Sequence, residues 1–383
     1  MRRIILIIGI SGLLIVSLFL FLRAMWATTP KKILNILVVD KTVSSHDRTE
    51  HKSFFWLLNN KRFVLPNSVA YNYKSDYYGF FPVDIENEVF EFKSIRINEV
   101  DAFSSAYEVM YLADCYGVYS FEWYKGKNNV IRSQKIYGGL TQNDYLLMRK
   151  MLEKGKLVIA EHSLFGAPTN SLTRSKTESL LGVNWSGWAG KYFEALNVNE
   201  PNGPPEWMKN LYEAQHKGFW PENAEGIVLV SNDGLIELLQ QGVHLKKAYP
   251  MLVTANDVQK KYGVTESIAF DQWFEFVNPL ENEVLSSFYL NVNPEGQNVL
   301  NRLNLSSSFA AVIKGKNQNY YYFCGDFTDN PSAMFTAKLA GGRTLNHFFS
   351  SFTNSQGAKF FRKFYSPLVE NILNDYYTTL PPK

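Results

Sequence analysis

"GGLTQNDYLLMRKMLEKGKLVIAEHSLFGAP", residues 138–168, decides the fold. Thr141 stands where a helix N-cap is wanted, Asp144 follows three residues later, and Gly155 comes just past the end. These signals bracket a helix over 142–154. The apolar run 157–161 begins within two residues of the glycine and reads as a buried strand. So short a helix-to-strand connection belongs to a doubly wound α/β sheet.

Working outward, "ILNILVVD" (33–40) and "YEVMYLAD" (107–114) are continuous apolar runs of the kind seen in parallel strands covered on both faces. Between them, 46–61 has helix-compatible spacing at Phe54, Phe55, Leu57 and Leu58. Downstream, 168–182 suggests a helix, and Asn232-Asp233-Gly234 between two apolar runs marks a hairpin. Further strands are expected at 282–292, 309–315 and 319–327, and a closing helix at 359–377, interrupted near Pro367. The segment 183–224 is aromatic, rich in Pro, Asn and Gly, and without a clean period, so it reads as an irregular insertion. The expectation is a single α/β domain over 33–383. Its sheet would be open and mostly parallel, with helices on both faces and antiparallel additions in the C-terminal half.

Residues 4–22 carry no charge, with Arg2 and Arg3 before them and Arg23 after. Nineteen residues at 1.5 Å each reach about 28 Å, close to the hydrocarbon thickness of a bilayer. A transmembrane anchor over 1–23, with a tether over 24–32, is the preferred reading. A cleaved signal peptide and a buried helix are its competitors, and "RAMWATTP" is a weak match to a cleavage site. The preferred placement is single-pass in the cytoplasmic membrane, with the soluble body outside the cytoplasm.

The net charge of +3, from 39 basic and 36 acidic residues with no basic run, argues against a nucleic-acid partner. The two cysteines, Cys115 and Cys324, exclude a disulfide scaffold or CxxC metal site and read as small buried apolar residues, with a mutual disulfide as the alternative if the fold brings their strands together.

Ligands of open α/β sheets bind beyond the carboxyl ends of the strands. Here an acid stands at four such ends, Asp40, Asp114, Glu161 and Asp326. Acids after strands also cap the helices or loops that follow. Glu161, His162 and Asp114 are the candidate catalytic residues. Asp40, Lys41, Tyr116, Trp185, Trp188, Asp326 and Asp329 are the candidate ligand contacts, the tryptophans as stacking faces for sugar rings or as core. Among the other histidines, His51 and His216 lie in polar, aromatic surroundings, whereas His46, His244 and His347 look peripheral. Ser163 does not sit in G-x-S-x-G, so a serine nucleophile is not expected. No metal-ligand spacing occurs, and no cofactor is expected beyond a divalent cation that the acids would accommodate.

The strands 33–40 and 107–114, the capped helix and "GKLVIAEHS" together resemble the class I glutamine amidotransferase-like fold, over roughly residues 33–195. "YYFCGDFTDN" is similar to a late strand end in membrane-linked domains of that kind, which implies that Asp326 and Asp329 face the elbow after strand 157–161. In that family a cysteine stands at the elbow. Here Glu161, His162 and Ser163 occupy it, and no downstream His-x-Glu pair follows, so glutaminase chemistry lacks its nucleophile and its base. The leading reading is then a membrane-anchored binding or assembly component of the cell envelope, with an envelope glycan, favoured by the nearby tryptophans, or a membrane protein as partner. The alternative is a hydrolase pairing Glu161 with Asp114 or Asp326 on an envelope glycan.

Overall fold

The computed structural model describes residues 2–124, 134–200 and 202–381. Helix α1 (Arg2–Ala27) leads into the short strand Lys32–Ile33, which pairs in parallel with Phe63–Val64. The strands that follow are β1 (Ile36–Asp40), β2 (Tyr78–Asp84), β3 (Val89–Lys93), β4 (Val109–Asp114), β5 (Leu157–Ala160), β6 (Asn184–Phe193) and β7 (Gly226–Ser231). After them come β8 (Ile236–Gln240), β9 (Met251–Thr254), β10 (Ser267–Ala269), β11 (Phe274–Asn278), β12 (Glu283–Tyr289), β13 (Ser308–Lys314) and β14 (Tyr320–Phe323). The helices used below are α2 (Thr49–Asn60), α3 (Gln142–Glu153), α4 (Ser171–Leu181), α5 (Gly342–Ser350) and α6 (Ser366–Thr379).

Ten strands form one sheet in the order β10-β9-β12-β13-β14-β5-β4-β1-β2-β3. The run β14-β5-β4-β1-β2 is parallel, while both flanks are antiparallel. The sheet is therefore mixed, with its parallel part confined to the middle. The expected helix α3 forms with its capping box complete: Thr141 Oγ1 accepts from Asp144 N, and the Asp144 carboxylate accepts from Thr141 N. The Asn232-Asp233-Gly234 hairpin joins β7 to β8 in antiparallel register. One apolar core runs through both halves, from Leu34 to Tyr376.

Three sequence expectations change. The segment 183–224 is not irregular throughout, because β6 is a ten-residue strand in a second sheet of order β8-β7-β6-β11. Its period is hidden by a bulge between Trp185 and Ala189, where Gly187 adopts φ +87°. Before Pro367 the chain passes through a π-helical turn, Phe361–Tyr365, instead of breaking.

The tether is also shorter than expected, because α1 continues to Ala27. Its last turn is clamped to the body. The Arg62 guanidinium donates to the carbonyls of Ala27 and Thr29 and lies 5.0 Å from the Trp26 ring. Trp26 Nε1 donates to Asn60 O at 3.1 Å, and Ala340 N to Leu22 O at 3.0 Å. The window of α1 that is long and apolar enough to cross a membrane is not buried in the rest of the chain.

Candidate functional site

Strands β14, β5, β4 and β1 are neighbours and run the same way, so their carboxyl ends share one edge of the sheet. Register places Asp40 directly beside Asp114. Asp40 Oδ1 accepts from Thr42 N at 3.0 Å, and Oδ2 meets His51 Nδ1 at 2.5 Å. His51 Nε2 lies 2.8 Å from Tyr73 O, a carbonyl that can only accept, so Nε2 carries a hydrogen.

Asp114 Oδ1 accepts from Tyr116 N at 2.7 Å and from the Ser163 hydroxyl at 2.6 Å. Burial, then the neighbouring Asp40 charge, pushes the Asp114 carboxyl up to about 7. Asp326 rises well above the carboxylate range through burial and then the charges of Asp329, Asp114 and Glu161. Asp329 rises through burial too, opposed by Lys191. Glu50, at the start of α2, rises through burial and then Asp40, and its Oε2 has no hydrogen-bond partner among the described residues. The strand-end acids thus feel one another's charge, as carboxylates gathered in one basin must.

Two residues beneath this edge hold it together and do not face a ligand. Glu161 is buried. Its Oε2 accepts from Phe327 N at 2.7 Å and Thr328 N at 2.9 Å, while Tyr111 Oη donates to Oε1. The carboxyl ties the elbow to the loop after β14 and is out of a substrate's reach, which corrects its expected catalytic role. Burial lifts it to about 8. Lys41 is likewise buried, with Nζ 2.5 Å from Asp144 Oδ2 and 2.8 Å from Gly139 O. It fastens the start of α3 and is not a ligand contact.

His162 is buried, and its Nδ1 has no partner among the described residues. Burial, then the Lys191 charge, lowers it to about 3, so it is neutral near pH 7 and no proton donor. Trp185 and Trp188 are also buried. The β6 bulge turns both rings inward although they are three residues apart, and Arg174 packs 5.0 Å from the Trp185 ring. Neither offers a sugar a stacking face. Tyr116 is exposed at the rim beside Asp114.

Ser163 is the residue that the sequence reading set aside. It occupies the elbow with φ +68°, donates to Asp114 and accepts from Cys115 N at 3.0 Å. The backbone of Ser163 in turn bonds the buried Glu275, which burial raises to about 8. Lys191 was missed as well. It is carried over the acids by β6, where it bonds Gln272 Oε1 at 3.1 Å. Its only sequence signal was a lone lysine in an aromatic segment.

Beside Asp329 a cavity of about 430 Å³ opens, lined by Asp47, Thr49, Lys52, Gln272, Ser350 and Asn354 among others. Cys115 and Cys324 are free and buried. Among the described residues no three His, Cys, Asp or Glu side chains are grouped to hold a metal ion.

No family model matches the chain, and no curated protein does. Among solved structures it is similar to a ThuA-like protein from Bacteroides uniformis, at 11% identity and a TM-score of 0.37, over 90% of this chain and 96% of that one. It is also similar to a β-galactosidase from Bacillus circulans sp. alkalophilus, at 8% identity and a TM-score of 0.35, over 82% of this chain. That match spans 30% of the β-galactosidase. At these values neither protein assigns a family.

Proposed function

We propose that this chain is a membrane-anchored binding or assembly component of the cell envelope, with an amidotransferase-like body outside the cytoplasm and no cysteine chemistry. Its strand-end basin takes a hydroxyl-rich ligand, an envelope glycan. One observation carries the reading: Asp114, Asp326 and Asp329 converge there with carboxyls lifted above their usual range. A carboxyl raised above its usual range keeps its proton to higher pH, and a protonated carboxyl both donates and accepts hydrogen bonds, which suits neutral polyols better than ions. The buried tryptophans lend no support, so the acids stand alone.

The test is glycan binding by the full chain in micelles, repeated with Asp326→Asn and Asp329→Asn. Each variant should weaken binding by about tenfold, the worth of one hydrogen bond to a charged or proton-sharing group. Unaltered affinity in both removes the basin from consideration. The hydrolase reading retains Asp114, whose carboxyl near 7 lies in the range for general acid–base work. Turnover of a glycan that disappears in Asp114→Asn while binding persists would favour it.

A further inference from the structure

Helix α5 is amphipathic the wrong way round for a soluble protein. Gly342, Asn346 and Ser350 form its buried stripe, with Asn346 Oδ1 accepting from Ala333 N at 2.7 Å. Its outward stripe carries Phe348 (58% exposed) and Phe349 (41%), and Phe352 (76%) follows just past its end. Phe335 (55%), in the 3-10 turn Met334–Lys338, joins them. The four rings are continuous: Phe335 to Phe349 at 5.0 Å, Phe349 to Phe348 at 5.2 Å, and Phe348 to Phe352 at 5.3 Å. An uncovered aromatic cluster of this kind marks a surface with a partner.

The place of the cluster says which partner. The Ala340 N–H bonds to the carbonyl of Leu22, the last residue of the apolar run in α1. That run is about 28 Å long, so with α1 in a bilayer Leu22 marks the edge of the hydrocarbon. Helix α5 starts two residues beyond Ala340 and is about 13 Å long. Phe348 and Phe349 stand in its far half and Phe352 just past its end, so with α5 lying along the membrane surface all three rings stay at the level of the headgroup layer, about 5–8 Å deep on each side. Arg23, the first charge after the run, lies at the same level.

We infer that the aromatic face formed by Phe335, Phe348, Phe349 and Phe352 seats in the lipid interface, making a second membrane contact beside the anchor. The inference rests on the anchor reading above. Phenylalanine rings of an interfacial helix bury among headgroups and upper acyl chains, while its polar stripe stays with the protein. Here the polar stripe is the one that meets the body.

The experiment uses the full chain in lipid nanodiscs. The native cysteines are buried, so an environment-sensitive thiol dye can be placed at Phe348→Cys, at Phe219→Cys in a fully exposed loop, and at Gly12→Cys within α1. Lipids brominated near the headgroup should quench the dye at 348 severalfold more than at 219, and aqueous iodide should do the reverse. A dye at 348 as open to iodide as the one at 219 overturns the inference, provided that the dye at 12 is quenched by lipid. If the dye at 12 is not quenched, the anchor reading itself falls. Shielding at 348 from iodide without lipid quenching, lost on dilution to one chain per disc, would assign the face to a second copy and equally overturn it.

Discussion

Replacing Glu161 by glutamine should stabilise the protein at alkaline pH and leave it almost unchanged in mild acid. The carboxyl is fully buried, and burial lifts it from the usual 4.5 to about 8. Between those two values the folded chain holds a proton that the unfolded chain has released. Folded stability therefore falls by about 1.4 kcal/mol for each pH unit in that window. The penalty is complete above pH 8, where it reaches about 5 kcal/mol as an upper bound. The substituted glutamine does not titrate. Its carbonyl oxygen can still accept from Phe327 N and Thr328 N, and its amide can donate to Tyr111 Oη. The assay is thermal unfolding of the full chain and the variant, followed by tryptophan fluorescence at half-unit pH steps from 5 to 9. Subtracting the two curves cancels the other titrating groups. A kcal/mol corresponds to roughly 1–2 °C for a chain of this length, extrapolating from smaller domains. The variant's advantage should thus grow by several degrees between pH 5 and 8 and then level off. A difference that is flat, or that favours wild type increasingly as pH rises, would show that Glu161 is a well-solvated or well-compensated carboxylate, and the account of the elbow would fail.

Two further outcomes test the assignment of other residues to the scaffold. Lys41→Met strands the buried Asp144 charge, which should lower stability by about 3–5 kcal/mol. Adding Asp144→Asn should recover part of that loss, read as a partial return of the unfolding midpoint. Trp188→Ala should lower stability by about 3–5 kcal/mol through the cavity that it leaves, with ligand affinity of the folded fraction unchanged. A selective loss of glycan binding with normal stability would return this tryptophan to the ligand surface.

The parallel centre of the sheet was legible because its signals are local. Thr141, Asp144 and Gly155 fix the ends of α3 whatever the rest of the chain does, and the short link to β5 then dictates direction. The gathering of Asp40, Asp114 and Asp326 at one edge follows from that direction. What a sequence does not carry is the side to which each residue turns after a strand ends. Glu161 turns under the sheet toward Tyr111, while Ser163, two residues on, turns toward Asp114, because the chain reverses through a positive φ at the serine. The inward turn of Trp185 and Trp188 was hidden for a related reason, since one bulge converts the two-residue rhythm of β6 into a three-residue spacing. The outward phenylalanines of α5 were equally hidden, because periodicity marks the apolar stripe of a helix without saying what covers it.

The Arg62 clamp has a mechanical consequence. Only Thr28–Lys31 separate α1 from the first short strand, and Arg62 holds the carbonyl of Ala27, where that joint begins, and of Thr29 within it. The joint is stiff, not a swivel. A membrane span that leans by about 20° to match lipid thickness would carry the body with it. Over the roughly 18 Å length of α2, that lean swings the acidic rim sideways by about 6 Å. In such a molecule the thickness of the surrounding lipid sets the direction in which the basin points.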